Sequence, residues 1–335
     1  MIHWLNIREL SSVAEARRRA RRAASRIGFN SVKTEHVAIV ATEMAQNILR
    51  HGGGGRFLVD WFGPPGGQRL VLVGVDEGPG IAKLELMLRD GRTTKNSPGT
   101  GLGAMLRLSD RLDIDTGRGK GTLVTAEFLP RQAKGTMRGH YAALRLSYPG
   151  ARKCGDSVAI CDIGSVRTFM VCDGLGHGPE AAAAAEAARE TFVDVAPEAG
   201  LQDILDEMGE AMRGTRGGVA SLVRVDSENR RLDYAGIGNI STLVRRGGDF
   251  RRLAVRDGLL GSGRSKAHVE SHDVDEDTIV IMHSDGINTL RDLATRTSLL
   301  HRSAPLIASR LLSDNLRGRD DASVLVARMK EGRAL

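Results

Sequence analysis

Apolar positions along the chain fall into two successive patterns. From Ser11 to Ile27, and again from Ser31 to His51, they recur every three to four residues. In the second segment Val37, Val40, Ala41, Met44, Ala45 and Ile48 make one stripe, which predicts two amphipathic helices. Gly28 stops the first, and His51 with the four glycines Gly52 to Gly55 stops the second. Short apolar runs bounded by turn residues then predict strands at 56–62 and 69–75, joined by Pro64-Pro65-Gly66-Gly67. A helix at 104–109 and strands at 112–115 and 121–128 complete this part.

A polar stretch, Pro130 to Gly139, follows. Beyond it the pattern predicts strands at 141–147, 158–162, 167–172, 218–226, 231–235, 241–245, 277–284 and 324–328. Helices are predicted at 179–195, 201–212 and 306–312. The whole is an α+β chain of 335 residues, too long for one ordinary core. The expected organisation is a first domain at 1–132, a linker at 133–139 and a second domain at 140–330.

Composition changes this picture little, and charge changes it in one place. Residues 1–133 carry 20 Lys and Arg against 13 Asp and Glu, while the remainder is balanced. Part of the excess is the run Arg17-Arg18-Arg19-Ala20-Arg21-Arg22. No aromatic or base-reading motif accompanies it, so it reads as a solvated helix face or a surface for an acidic protein, and no nucleic acid partner is expected. No apolar run reaches the length of a membrane span and nothing resembles a signal peptide. Cysteines at 154, 161 and 172, an odd number without CxxC spacing, point to reduced thiols and a cytoplasmic location.

Candidate chemistry in the second half centres on Val171-Cys172-Asp173-Gly174-Leu175-Gly176-His177-Gly178. A strand that stops at an Asp and opens into a glycine turn can present a carboxylate and bare backbone oxygens to a hard cation. Asp156, Asp285 and Asp320 also mark the ends of apolar segments, so the layout gathers oxygen ligands at one rim of a sheet stack. Such ligands select Mg²⁺ or Mn²⁺ over zinc. Two ions sharing a water can hold a phosphate oxygen and hydrolyse its ester without a covalent intermediate. His177, between two glycines, is left outside the metal set.

The first half has a different order. Glu43 and Asn47 lie i,i+4 on one helix face. Asp76-Glu77-Gly78-Pro79-Gly80 follows a strand, Gly99-Thr100-Gly101-Leu102-Gly103 precedes a helix, and Gly121-Thr122 opens the last strand. Glycines before a helix leave backbone N–H groups free for phosphates. A strand-end carboxylate can accept an adenine amino group, and a carboxamide one turn from a carboxylate can hold Mg²⁺.

This ordered set resembles the GHKL ATPase superfamily, in its anti-sigma-factor serine kinase branch; Ala41-Thr42-Glu43-Met44-Ala45-Gln46-Asn47-Ile48 looks like the N-box of that branch. The resemblance implies a Bergerat-type α/β sandwich that binds ATP and Mg²⁺. Asn47 would bind Mg²⁺, Asp76 adenine, and Gly78 and Gly80 would shape the pocket. Residues 89–103, with Gly99, Gly101 and Gly103, would form a lid over ATP, and Thr122 would support the base. Glu43 would be the general base for a protein serine or threonine hydroxyl.

Cys154-Gly155-Asp156-Ser157, Asp173-Gly174-Leu175-Gly176-His177-Gly178, Ser284-Asp285-Gly286-Ile287 and Asp320-Asp321-Ala322-Ser323 resemble the motifs of type 2C metal-dependent protein phosphatases, in the SpoIIE-like branch. That resemblance implies an α-β-β-α sandwich with two Mn²⁺ or Mg²⁺. Asp156, Asp173, the Gly174 carbonyl, Asp285 and Asp320 would be the ligands, with Asp321 behind them. Together the halves suggest a bifunctional partner-switching regulator. It would phosphorylate, and dephosphorylate, a STAS-domain protein or another phosphoprotein of an anti-sigma pathway. The alternative is an ATP-sensing, partner-binding first half fused to a phosphatase. Oligomeric state, including a homodimer, is left open.

Overall fold

The structure, a computed structural model, describes residues 2–64, 66–82, 84, 101–130, 140–197, 199–263, 266–330, 332 and 334. The described residues within 4–61 and 65–135 form one compact unit, and those within 1–3, 62–64 and 136–332 another.

The first unit is a five-stranded sheet with helices packed on it. Strands β1 (Leu5–Ile7), β2 (Gly55–Phe62), β3 (Arg69–Asp76), β4 (Arg111–Thr116) and β5 (Thr122–Phe128) lie in the order β1-β2-β3-β5-β4. Helices α1 (Leu10–Arg26) and α2 (Ser31–His51) follow the predicted apolar stripes. Asn30 caps α2, its Oδ1 accepting from the Lys33 backbone N–H at 2.8 Å. The buried face of α1 is almost all alanine (Ala16, Ala20, Ala23 and Ala24), which lets it lie close to Val37, Ala41 and Met44 of α2. That face packs with Phe57, Leu70, Leu72, Leu112, Ala126 and Phe128 of the sheet in one core. On the outer face of α1, Arg18, Arg19 and Arg22 pair with Glu15, and Arg17 and Arg21 pair with Glu35 of α2. The basic run is thus a solvated, ion-paired face.

The second unit stacks two five-stranded sheets. One has the order β13-β10-β9-β8-β7, from β7 (Asp156–Ile163), β8 (Val166–Gly174), β9 (Gly218–Asp226), β10 (Arg231–Ile237) and β13 (Glu270–Asp273). The other has the order β12-β11-β14-β15-β6, from β6 (His140–Leu146), β11 (Ser241–Arg246), β12 (Asp249–Arg252), β14 (Ile279–His283) and β15 (Ala322–Arg328). Tyr141 on β6 meets Phe169 on β8 edge to face, with centroids 5.5 Å apart, so the sheets share a core. Helices α4 (Pro179–Val195) and α5 (Leu201–Ala211) cover the first sheet through Ala184, Ala188, Phe192, Ile204 and Met208. Helix α7 (Ala304–Asn315) packs on β6 and β15. The layers are α-β-β-α, the expected fold class.

Three strands escape the sequence pattern: β1, β12 and β13. Each lies at a sheet edge, where one side faces no partner strand. β12 reads Asp-Phe-Arg-Arg and β13 reads Glu-Ser-His-Asp, so neither carries the apolar alternation that betrays a covered strand. A short helix, α6 (Thr297–Leu300), was likewise not expected. The helix expected at 104–109 is α3 (Gly101–Leu108), which takes Gly101 and Gly103 into its first turn. The three cysteines are free thiols, and Cys172 is buried. Among the described residues no helix is long and apolar enough to cross a membrane.

Candidate functional site

Four of the predicted ligands meet at strand ends of the second unit. Asp156 begins β7 and Asp173 lies near the end of β8, and the antiparallel register sets them directly opposite one another. Asp156 is buried, and its Oδ2 accepts from the Ser284 hydroxyl at 2.6 Å. Burial lifts its pKa to about 7, against the pull of that hydrogen bond, with the Asp321 and Asp320 charges adding to the rise. Asp173 is lifted to about 10, first by burial and then by the charges of Asp156, Asp285 and Asp320. Asp320 also rises through burial, and His177 opposes that rise. Asp285 accepts from Asn239 Nδ2 at 3.0 Å. The four carboxylates therefore share one electrostatic site.

Close backbone approach holds the glycine turn after β8. A Cβ on Gly174 would stand 2.1 Å from the Ala181 carbonyl oxygen, so only glycine lets the first turns of α4 press against it. The Gly174 N–H donates to the Gly155 carbonyl at 3.0 Å, which ties the turn to the segment leading into β7. The His177 ring stacks on Tyr148 at 4.3 Å. The Tyr148 N–H in turn donates to Asp321 Oδ1 at 2.7 Å.

The donor chemistry fits a hard divalent cation. Asp156 Oδ1 and Asp321 Oδ2 are buried without a hydrogen-bond partner, which is costly for a carboxylate unless a cation or water sits against it. Among the described residues, no three His, Cys, Asp or Glu side chains converge tightly enough to enclose one ion by themselves. Carboxylate oxygens suit Mg²⁺ or Mn²⁺, which bind through one or two carboxylates with water completing the shell.

The first unit gathers a second set. Glu43 and Asn47 point from α2 toward the start of α3: a Cβ on Gly101 would lie 2.7 Å from Glu43 Oε2 and 3.9 Å from Asn47 Oδ1. A helix start beside the Glu43–Asn47 pair is a place where backbone N–H groups can meet an anion. Gly103, in the same first turn, is buried. Asp76 ends β3, opposite Thr122 on β5, and its Oδ1 accepts from the Gly78 N–H at 2.9 Å. Burial raises the Asp76 pKa. Gly80, at φ +71°, passes the Gly117 carbonyl so closely that a Cβ would sit 2.0 Å from it. The Thr122 hydroxyl is 3.2 Å from that of Thr116. Gly99 and positions 89–100 of the expected lid lie outside the described residues, as does the linker at 133–139.

Sequence reasoning missed the role of Ser284. Its hydroxyl donates to Asp156 and accepts from the Ser323 backbone N–H at 3.0 Å, so one side chain joins β7, β14 and β15 beneath the carboxylates. The signal was present, because Ser284 immediately precedes Asp285, but a serine beside an acid has no distinctive spacing. Asn239 and Tyr148 carried no signal at all; only the fold brings them to the site.

Comparison with known proteins matches both halves. The family described as histidine kinase-like ATPase domain matches residues 8–128, and SpoIIE, stage II sporulation protein E, matches residues 166–330. The serine/threonine-protein kinase RsbT of Bacillus subtilis (strain 168) is 29% identical over 114 residues, 34% of this chain and 86% of that protein. The phosphoserine phosphatase RsbX of the same organism is 27% identical over 147 residues, 43% of this chain and 72% of that protein. Among solved structures, a chain from work on the bacterial stressosome is similar at TM-score 0.54 and 28% identity, covering 57% of this chain and all of that one. A crystal structure of RsbX in complex with magnesium has TM-score 0.51 and 23% identity, covers 56% of this chain and 94% of that one, and shares its fold.

Proposed function

A histidine kinase-like ATPase domain and a SpoIIE-type phosphatase domain share this one chain, and we propose that together they set the phosphorylation of a partner protein in opposite directions. Residues 1–132 transfer phosphate from ATP·Mg²⁺ to a serine or threonine of a STAS-domain protein, or another protein of an anti-sigma pathway. Residues 140–330 hydrolyse phosphoserine or phosphothreonine, and 133–139 link the two in a cytoplasmic regulator. The observation that carries the reading is the convergence of Asp156, Asp173, Asp285 and Asp320 on one electrostatic site at the strand ends. The likeness to a kinase and a phosphatase, each in its own half, supports it.

In the kinase half, Glu43 takes the proton of the attacking hydroxyl and Asn47 holds Mg²⁺ beside the phosphates. The first turn of α3, with Gly101 and Gly103, offers N–H groups to those phosphates, and Gly99 belongs to the same loop. Asp76 accepts from the adenine amino group, Thr122 supports the base, and Gly78 and Gly80 shape the wall of the pocket. In the phosphatase half, Asp156, Asp173, Asp285, Asp320 and the Gly174 carbonyl hold two Mg²⁺ or Mn²⁺. When bound, these ions supply Lewis acidity to the phosphate and lower the pKa of a water. Ser284 fixes the orientation of Asp156, and Asp321 fixes the approach of the Tyr148 backbone.

Incubation with labelled ATP and a STAS-domain protein encoded nearby tests both directions. Transfer to that protein, followed by release that needs Mg²⁺ or Mn²⁺ and stops in EDTA, is the expected result. Transfer at no partner concentration would leave the first unit an ATP-sensing docking module. Hydrolysis persisting in EDTA would reject the metal site.

A further inference from the structure

Arg216 stands between α5 and β9, outside the carboxylate set. Its loop is held from three sides. The Thr215 hydroxyl donates to the Met212 carbonyl at 2.6 Å, and the Gly217 N–H donates to Thr215 Oγ1 at 3.0 Å. The Gly217 carbonyl accepts from the Leu175 N–H at 3.0 Å, inside the glycine turn itself. Gly218, the next residue, is registered opposite Gly174. From this anchored base the guanidinium reaches across the turn: a Cβ on Gly176 would lie 3.3 Å from Arg216 Nη1. Nη2 pairs with Glu180 in the first turn of α4, and both side chains are half-exposed or more, at 49% and 67%.

We propose that Arg216 binds the phosphoryl oxygens of the substrate, with Glu180 parking the guanidinium over the turn until a phosphate ester takes its place. The proposal rests on the phosphatase reading of this unit. An ion pair this exposed is weak, so Glu180 releases the arginine readily. A phosphate monoester offers a planar fork of donors two parallel charge-assisted hydrogen bonds, roughly twice as strong as neutral ones. The anchored loop brings Arg216 to the glycine turn that follows Asp173, beside the first turn of α4. A purely structural role, tying the loop to α4, would make Arg216 and Glu180 equivalent partners. A phosphate clamp makes them opposite, since removing Glu180 frees the clamp.

Steady-state kinetics on the full chain with Mn²⁺ separate these roles, using p-nitrophenyl phosphate and a phosphoserine peptide, with inorganic phosphate as inhibitor. Arg216→Ala should raise KM for both esters, and the inhibition constant of phosphate, about tenfold or more, the loss of one hydrogen bond to a charged group. kcat should fall much less. Arg216→Lys should recover part of the loss, and Glu180→Gln should lower KM and the inhibition constant below wild type. Calorimetric titration of the Mg²⁺-loaded protein with phosphate should show the same order of affinities. Unchanged constants in Arg216→Ala, or a KM raised for the peptide alone, would overturn the proposal. So would Glu180→Gln weakening phosphate binding along with Arg216→Ala while both lower the thermal midpoint. If wild type hydrolysed neither ester, the phosphatase reading would fall. The calorimetric comparison would then still decide whether Arg216 binds phosphate.

Discussion

Asp156 and Asp173 are cross-strand neighbours on β7 and β8, and the Asp156 charge raises the pKa of Asp173. Two carboxylates so placed cannot both ionise cheaply, so the metal-free protein holds protons there that the unfolded chain gives up. The folded pKa values lie above the ordinary carboxylate value, which fixes the sign. The stabilising effect of holding these protons is present at low pH. It is lost as pH rises from about 4 through 7, for Asp156, and on toward 10, for Asp173. A divalent cation replaces the protons and removes the penalty. The thermal midpoint of the metal-free protein should therefore fall between pH 5 and 8, and Mg²⁺ or Mn²⁺ should raise it more at pH 8. Scanning fluorimetry at both pH values checks this; an equal or larger gain at pH 5 would place the ions elsewhere.

Asp173→Asn keeps the size of the side chain and removes the charge at the centre of the acidic field. Phosphatase activity should drop at least about a hundredfold, beyond the usual effect of changing a residue behind a ligand. ATP affinity, measured by fluorescent-nucleotide titration, should stay at the wild-type value. A parallel loss of ATP binding would mean that the substitution unfolds the chain rather than the site.

Ser284→Ala strips a partner from two buried groups at once, Asp156 Oδ2 and the Ser323 N–H. Each orphaned group costs about 1–3 kcal/mol, so urea unfolding of the metal-free protein should show a clear loss. Metal affinity should fall about 10- to 100-fold, because the hydroxyl orients a ligand. Unchanged metal affinity would show that Asp156 needs no such support.

Gly101→Ala puts a methyl group 2.7 Å from Glu43 Oε2, so the carboxylate must swing away from the start of α3. Phosphoryl transfer should fall nearly as far as in Glu43→Ala, while both variants keep ATP binding. Transfer in Glu43→Ala at the wild-type rate would remove Glu43 as the base.

Much of the architecture was legible because burial writes a period into a chain. The stripe from Val37 to Ile48 became the buried face of α2, and Pro179–Val195 became α4 with the same ends. Edge strands were not legible, since β12 and β13 bury too little on either face to need an apolar alternation. Carboxylates announced themselves by their glycines: Asp173-Gly174 and Asp285-Gly286 turn where a side chain would collide with backbone. Ser284, Tyr148 and Arg216 did not, because a hydroxyl, a backbone N–H and a surface arginine acquire their meaning only from what the fold sets opposite them. The start of α3 was misplaced for a related reason. Glycines discourage a helix in isolation, yet Gly101 is helical here and lies close against the Glu43 carboxylate.

The hairpin of β7 and β8 turns at Gly164 and Ser165, and its pairing runs unbroken from Ile163↔Val166 to Asp156↔Asp173. Eight residues of β7, about 25 Å at roughly 3.3 Å each, separate that bend from the acids. One amino acid inserted at the bend could shift the pairing by a step and swing a carboxylate to the opposite surface of the sheet. A remote loop with no chemistry of its own thus sets the alignment of the acids, and its length is as binding a constraint on this protein as the identity of the acids themselves.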